Sequence, residues 1–341
     1  SMKRMLRFTL SVGLSALLIV LCFRGADLGA VWRALLQAEP GYLALAVALS
    51  LLSFLGRAFR WRSLLGHLKN GIGLYGLLSA TLIGFMVSYV LPFRVGELAR
   101  PLLLARREGM SKGAVIATVA VARMMDFLTV LLLCSVYLIG FSSDLPEGGS
   151  EWMRQFRSKG ILVGIVILAA VVSLYLVVFL RATLFDRLEA RTRPGGGARR
   201  IVDFLHTVVR GFEVLKGGRA IAAALTLTIL TWSLIDLSIL AGLRAFGIPL
   251  SFSDVFLLMA FLAVGIAVPT PAGLGSYQAS GLLCLETFFL VGRETGLAAI
   301  WAQWGVAVLP VVALGALLVW KEGLTMGQVT RMAAREEEVS S

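Results

Sequence analysis

Three charged residues follow a proline inside an otherwise apolar stretch and resemble an anion-binding site in composition. Arg94, Glu97 and Arg100 recur at spacings of three after Pro92, with Gly96 between them. If a helix begins here, the three side chains share one side of it, and the helix N-terminus adds partial positive charge. A cytoplasmic loop with solvated charges would explain the same residues. Because apolar sequence flanks the cluster on both sides, we predict a helix break at Pro92 and Gly96 beside an anion site.

Arg123 and Asp126 lie within a second apolar stretch, about ten residues and therefore about 15 Å from its start. Charges inside a membrane are costly and normally face a partner or a watery cavity. Their spacing of three allows a structural ion pair between them. In the alternative interpretation Arg123 binds phosphate, and Asp126 orients it or carries a proton.

A third pattern is rich in proline and glycine and lies in the second half of the chain. Pro269 and Pro271 predict a break in the helix, and Gly273 and Gly275 permit close backbone approach. A helix that opens at such a turn offers free N–H groups to an anion. A packing kink would leave the same pattern. Neutral side chains of the same stretch that could also bind a headgroup are Thr270, Ser276, Tyr277 and Gln278.

Two further acidic residues, Asp236 and Glu286, lie in or near apolar segments and are candidates without an assigned role. The three cysteines form no CxxC motif and have no nearby histidine pair, so neither a metal nor another cofactor is expected.

Composition defines the class of protein. Of 341 residues, 58% are hydrophobic and 15% are charged, and the mean hydropathy is +0.87. Several uncharged stretches approach or exceed the roughly 20 residues that a helix needs to cross a bilayer. The chain is therefore predicted to be an all-α polytopic membrane protein, with membrane lipids as its partners.

The net charge of +12 follows the predicted membrane topology rather than a nucleic-acid surface. Basic residues flank the apolar segments, which is typical of the cytoplasmic side of a bacterial inner membrane, and we expect no nucleic acid partner. Nine Lys or Arg residues lie in the predicted cytoplasmic loop 181–219. Both termini are predicted to be cytoplasmic, from Lys3, Arg4, Arg7, Arg57, Arg60, Arg62, Lys69, Lys321, Arg331 and Arg335.

Six spans and two re-entrant hairpins account for the apolar stretches. The spans are 8–23, 40–59, 113–141, 160–180, 220–243 and 295–320, and the hairpins are 71–107 and 254–291. Two amphipathic segments, one after the predicted N-cap Asp27 and one over 201–215, are predicted to lie in the membrane interface.

The order of these elements repeats within one membrane domain, 1–341. The half 8–141 and the half 160–320 each contain span, interfacial helix, span, hairpin and span, in opposite directions. Inverted repeats of this kind bind substrate near the midplane, where broken helices from the two halves meet.

These motifs together resemble the membrane domain of the lysylphosphatidylglycerol synthase family, which is also described as flippase-like. The resemblance covers nearly the whole chain and rests on LPFRVGELAR over 91–100, Arg60-Trp61, Arg123-x-x-Asp126 and Pro269-Thr270-Pro271-x-Gly273-x-Gly275. It implies movement of a lipid between leaflets, whereas a separate soluble domain of two-domain members performs aminoacyl transfer. About twenty residues follow the last span, so lysyltransferase activity is not expected.

Two positions depart from the family pattern. Gln278 stands where a glutamate is often found, and Ala122 precedes Arg123 where an acid is frequent. Both changes remove a protonatable group and favour passage of lipid without proton coupling.

The sequence as a whole predicts a flippase or scramblase for an anionic phospholipid or a polyprenyl-phosphate-linked lipid. An integral-membrane transferase acting on a polyprenyl phosphate or phospholipid is the main alternative, and a transporter of soluble ions is a third. A homodimer and a partner enzyme of envelope biosynthesis both stay open.

Overall fold

A computed structural model describes residues 2–91, 96–141, 151–179 and 218–328, which form helices and connecting turns without a strand. In chain order the helices are α1 (Met2–Phe23), α2 (Leu28–Gln37), α3 (Pro40–Leu65), α4 (Leu74–Val90), α5 (Gly96–Glu108), α6 (Lys112–Gly140), α7 (Glu151–Phe179), α8 (Gly218–Arg244), α9 (Asp254–Ala267), α10 (Ser276–Phe288) and α11 (Arg293–Lys321). Pro92, Arg94 and residues 181–217, including the second amphipathic segment, lie outside the described residues.

Four helices of the described part are long and apolar enough to cross a membrane, namely Pro40–Leu65, Lys112–Gly140, Ala222–Arg244 and Arg293–Lys321. Thr9–Phe23 and Leu28–Gln37 would supply a fifth span if taken together, but they meet at a bend of 87°. Large apolar side chains remain exposed on outer faces, as lipid contact requires; Leu162, Val264 and Leu309 are examples. The protein is thus a multi-pass membrane protein, and the count of six spans stays a prediction.

Local signals place several helix ends where the sequence predicts them. The Asp27 side chain accepts a hydrogen bond from the N–H of Gly29 at 2.8 Å, which confirms it as the N-cap of α2. Pro40 begins α3, where its missing N–H costs no hydrogen bond. The predicted break near Pro269 is confirmed, because α9 ends at Ala267 and α10 begins at Ser276.

The first predicted hairpin is an antiparallel pair of helices, α4 and α5. The break is confirmed, since α4 ends at Val90 and α5 begins at Gly96. A Cβ atom added to Gly96 would lie 1.9 Å from the carbonyl oxygen of Gly84, so the two backbones touch. Gly84 also packs on Arg100, and Gly76 packs on Arg107 farther from the tip.

The second hairpin, α9 and α10, is built in the same way. Gly265 on α9 packs against Ser276 and Ser280 on α10, and a Cβ at Gly265 would lie 2.6 Å from the Ser276 carbonyl oxygen. A turn of 3-10 helix, Pro271–Gly273, forms the tip. Gly275 has φ 85°, a left-handed conformation that favours glycine.

Helix contacts recur between the two halves of the chain. The helices α3 and α8, which contain the predicted spans 40–59 and 220–243, pack extensively on each other. Helix α4 packs on α11, and the corresponding helix α9 packs on α6. The pairs α5 with α6 and α10 with α11 correspond in the same way.

Candidate functional site

A buried salt bridge joins α3 to α6 in the interior. Arg60 donates from Nη1 to Oδ1 of Asp126 at 2.6 Å and from Nη2 to Oδ2 at 3.1 Å. The same Nη1 atom donates to the hydroxyl of Thr228 on α8 at 3.2 Å. Only 1% of the Arg60 surface is exposed. This bidentate geometry makes Arg60 the main partner of Asp126.

Arg123 is therefore not the closest partner of Asp126, although the spacing of three permits the pair. Its Nη1 atom lies 3.8 Å from Oδ2 of Asp126. The prediction of an ion pair within α6 is confirmed only as this longer contact. Asp126 is buried with Arg60 instead, because a carboxylate in the interior needs direct hydrogen bonds as well as nearby charge.

Aromatic side chains enclose the rest of the cluster. Trp232 on α8 donates from Nε1 to Oδ1 of Asp126 at 3.0 Å. Arg57 on α3 lies 3.8 Å from Oδ2 of Asp126, and its guanidinium is 5.2 Å from the ring of Phe85 and 6.0 Å from that of Trp232. These ring faces offer cations partial compensation for lost water.

Arg100 on α5 has more buried side-chain nitrogen atoms without a hydrogen-bond partner than any other arginine of the described cluster. Its guanidinium stacks 4.1 Å above the Trp61 ring, and Trp61 is fixed by a 2.9 Å hydrogen bond from Nε1 to Thr118. Arg100 is 4% exposed, and its Nε and Nη2 atoms have no hydrogen-bond partner among the described residues. These two atoms form the edge of a guanidinium that can bind two oxygens at once.

Arg123 and Glu97 lie at the accessible side of the cluster. Arg123 Nη2 is 3.5 Å from Oε1 of Glu97, and their side chains are 38% and 33% exposed. Arg100 lies within electrostatic range of Arg123, Arg60, Arg57 and Asp126. The structure thus brings together four of the residues predicted from the sequence, Glu97, Arg100, Arg123 and Asp126.

Sequence reasoning missed the role of several residues of this cluster. We used Arg57 and Arg60 to assign the end of the second span to the cytoplasmic side, and the structure buries both against Asp126. Both arginines lie inside α3, a turn or more before its end at Leu65. Their own spacing of three, at the end of an apolar helix, was the available signal. Trp61 stood out only as part of the Arg60-Trp61 motif, whereas Thr228 and Trp232 carried no local signal, since their partners are distant in the chain.

The tip of the second hairpin uses most of its polar groups internally. The hydroxyls of Thr270 and Ser276 lie 2.7 Å apart, and Ser276 also donates to the carbonyl of Gly273 at 3.2 Å. Gln278 accepts a 2.7 Å hydrogen bond from the N–H of Gly275, while its Nε2 atom has no partner in the described part. Tyr277 is buried in the largest apolar cluster.

Other helices hold this tip in place. Ser15 on α1 donates to the carbonyl of Leu274 at 2.7 Å, and Trp304 on α11 donates to that of Ala272 at 3.0 Å. Ser11 donates to the carbonyl of Pro269. The 3-10 turn at Pro271 also contacts α4 of the first hairpin, so the two hairpins meet.

Tyr89, near the end of α4, connects the two groups of predicted residues. It lies within electrostatic range of Arg57 and of Tyr277 in the second hairpin. Arg57 belongs to the group that we call the arginine cluster, whose members are Arg57, Arg60, Arg100, Arg123, Asp126 and Glu97. Its ring also packs at 6.2 Å from that of Phe85. The second tip therefore borders the arginine cluster.

The two remaining acidic candidates differ in their surroundings. Arg293 donates to Glu286 at 2.8 and 3.1 Å and to the carbonyl of Cys22 at 3.0 Å, so Glu286 helps to hold the end of α1. Asp236 on α8 is fully buried, and neither carboxylate oxygen has a hydrogen-bond partner among the described residues. Within those residues, no group of three His, Cys, Asp or Glu side chains could hold a metal ion.

A comparison with protein families decides the relationship that these motifs indicate. The family model of the lysylphosphatidylglycerol synthase transmembrane region matches residues 8–326. The chain belongs to this family. The chain is also similar to glycosyltransferase AglD of Haloferax volcanii, with 23% identity over 360 residues. That alignment covers 97% of this chain, which spans 58% of the length of AglD.

Proposed function

We propose that this membrane protein is a flippase or scramblase, which moves an anionic phospholipid or a polyprenyl-phosphate-linked lipid between the leaflets of a bacterial inner membrane. Family membership supports a role in lipid or glycan metabolism. The proposed site is the arginine cluster, which comprises Arg57, Arg60, Arg100, Arg123, Asp126 and Glu97.

The observation that carries the proposal is a buried guanidinium edge, unpaired among the described residues, within electrostatic range of a more accessible arginine. Arg123 is partly exposed and loosely held, at 3.5 Å from Glu97 and 3.8 Å from Asp126. Arg100, within its electrostatic range, is buried and keeps two free N–H groups among the described residues. An anionic headgroup can thus replace its hydrogen bonds to water with hydrogen bonds to Arg123 first and to Arg100 afterwards.

Stripping water from a phosphate is the main barrier to lipid translocation, and hydrogen bonds from guanidinium groups would lower it. The chains of the lipid would stay in the bilayer, against the exposed apolar faces. In this proposal the two hairpins are re-entrant, the halves 8–141 and 160–320 are inverted repeats, and both termini are cytoplasmic. The corresponding contacts of α4 with α11 and of α9 with α6 support the repeat.

Leaflet exchange of fluorescent anionic lipids in proteoliposomes tests this function. Arg123→Ala is expected to slow exchange while leaving the protein folded, because its contacts are long and partly solvated. Arg33→Ala is the matched control, since Arg33 is an exposed arginine that pairs only loosely with Asp27 at 3.5 Å. Exchange by Arg123→Ala at the rate of the unmodified protein would remove Arg123 from the mechanism.

A transferase acting on a lipid phosphate is the second proposal, favoured by the name of the relative AglD. Such an enzyme needs a carboxylate free to act as a base. Asp126 is engaged by Arg60 and Trp232, which argues against it in that role. Product formation by purified protein with candidate sugar donors and a polyprenyl phosphate would establish the transferase in place of the flippase.

A further inference from the structure

We infer that the arginine cluster selects a doubly charged phosphate group, that is a phosphomonoester or a diphosphate, over a singly charged phosphodiester. The inference rests on the proposed function, because it concerns the headgroup that the same site would carry. It goes further by naming the charge state of the ligand.

The count of buried charges points to two missing negative charges. Among the described residues of the cluster, Arg57, Arg60 and Arg100 are nine-tenths or more buried, and the carboxylate buried with them is that of Asp126. Three positive charges and one negative charge leave a net excess of two positive charges. Adding the half-exposed pair of Arg123 and Glu97 contributes one charge of each sign, so the excess stays at two.

An excess of this size is costly in a low-dielectric interior. Aromatic faces at Phe85, Trp61 and Trp232 compensate the cations only partly. A phosphodiester would leave one buried positive charge uncompensated, whereas a phosphomonoester dianion or a diphosphate would balance both. We therefore expect the second negative charge of the ligand to be stabilised more in the site than in water.

The free hydrogen-bond donors lead to the same class of ligand. The Nε atoms of Arg57, Arg60, Arg100 and Arg123, and Nη2 of Arg100, have no partner among the described residues. A phosphodiester presents two unesterified oxygens, but a phosphomonoester presents three. The Nε and Nη2 edge of Arg100 can take two of them, because stacking on Trp61 fixes the plane of the guanidinium. The third oxygen remains for Arg57, Arg60 or Arg123.

The test compares two lipids with identical acyl chains, phosphatidic acid and phosphatidylglycerol, for binding to the purified full chain in detergent. At pH 8 phosphatidic acid is expected to bind about tenfold more tightly, which corresponds to one further charge-assisted hydrogen bond. At pH 5, below the second phosphate pKa of about 6, this advantage is expected to disappear. Phosphatidylglycerol does not titrate in this range, so it reports any pH effect on the protein itself.

A variant checks that the preference arises in the cluster. Arg100→Gln lowers the buried excess from two to one, and the preference for phosphatidic acid is expected to fall to less than about threefold. Arg33→Gln, remote and exposed, is expected to keep the full preference. The pH comparison needs no variant, so the inference remains testable if Arg100→Gln does not fold.

The outcomes separate this inference from the proposed function. Equal binding of the two lipids at pH 8 would overturn the inference, whether or not the protein exchanges lipids between leaflets. Tighter binding of phosphatidic acid without any leaflet exchange would support the inference and count against the flippase. Inorganic phosphate competes for the site if the ligand is a free phosphate. Competition as strong as that of the lipid would support a dianionic ligand, but it would assign the site to free phosphate rather than to a lipid headgroup.

Discussion

Asp126 is the carboxylate on which the buried arginines depend, and Asp126→Asn is expected to lower the free energy of unfolding by about 3–5 kcal/mol. The change keeps the shape of the side chain but raises the buried excess charge from two to three. Arg57 lies 3.8 Å from Oδ2, a distance that corresponds to about 4 kcal/mol of attraction at an effective dielectric near 20. Arg123 lies at the same distance, but its side chain is partly exposed, so water screens most of its attraction. The attraction to the buried Arg57 disappears with the charge, and the hydrogen bonds from Arg60 lose their charged acceptor, so we expect the upper part of the range.

Arg60→Met provides the informative comparison. This change breaks the 2.6 and 3.1 Å hydrogen bonds to Asp126, but it also lowers the buried excess charge from two to one. We therefore expect a smaller loss, about 1–3 kcal/mol, from the hydrogen bonds alone. An isolated buried pair would instead lose similar amounts from either side. The asymmetry is the signature of a cluster with too few carboxylates.

Reversible unfolding in mixed micelles, followed by circular dichroism, measures both losses. Arg33→Ala is the control, because its pair with Asp27 is exposed and is expected to contribute less than about 1 kcal/mol. Equal losses for Asp126→Asn and Arg60→Met, or a larger loss for Arg60→Met, would refute the charge count on which the reasoning rests.

Three further predictions concern other parts of the chain. Asp236→Leu is expected to stabilise the protein by about 1–3 kcal/mol in the same unfolding assay, because it removes a buried carboxylate that has no hydrogen-bond partner within the described part of the chain. A loss of stability would reveal a partner. Gly96→Ala is expected to cost about 3 kcal/mol or to prevent folding, since backbone atoms of Gly84 cannot move aside; an unchanged melting temperature would contradict this contact. Glu286→Gln is expected to cost less than about 1 kcal/mol and to leave lipid exchange unchanged, because its pair with Arg293 is partly exposed; slowed exchange would assign Glu286 a role in transport.

Local features of the fold could be predicted because their causes are local. The Asp27 cap, the break before Gly96 and the turn at Pro271 each depend on residues within one helical turn. Membrane character also follows from composition alone. The hairpin partners required the tertiary structure, although the small residues that allow their close contact, such as Gly84 and Gly265, are visible in the sequence.

The candidate site could be predicted only in part. Arg100, Arg123 and Asp126 stood out because charge inside apolar sequence demands an explanation. Arg57 and Arg60 did not, because a basic residue near a helix end is also the common mark of the cytoplasmic side. Burial distinguishes the two cases, and it depends on α6 and α8 packing against α3.

The sequence by itself determined that the chain enters a membrane, where its helices break and that charged residues remain inside it. Only the tertiary structure decided which arginine binds Asp126. Arg123 lies three residues away on the same helix, yet Arg60, 66 residues away, makes the bidentate salt bridge. The physical reason is that one carboxylate accepts few hydrogen bonds and several cations compete for them. Distance and orientation across packed helices settle that competition, and they leave the edge of Arg100 without a partner among the described residues.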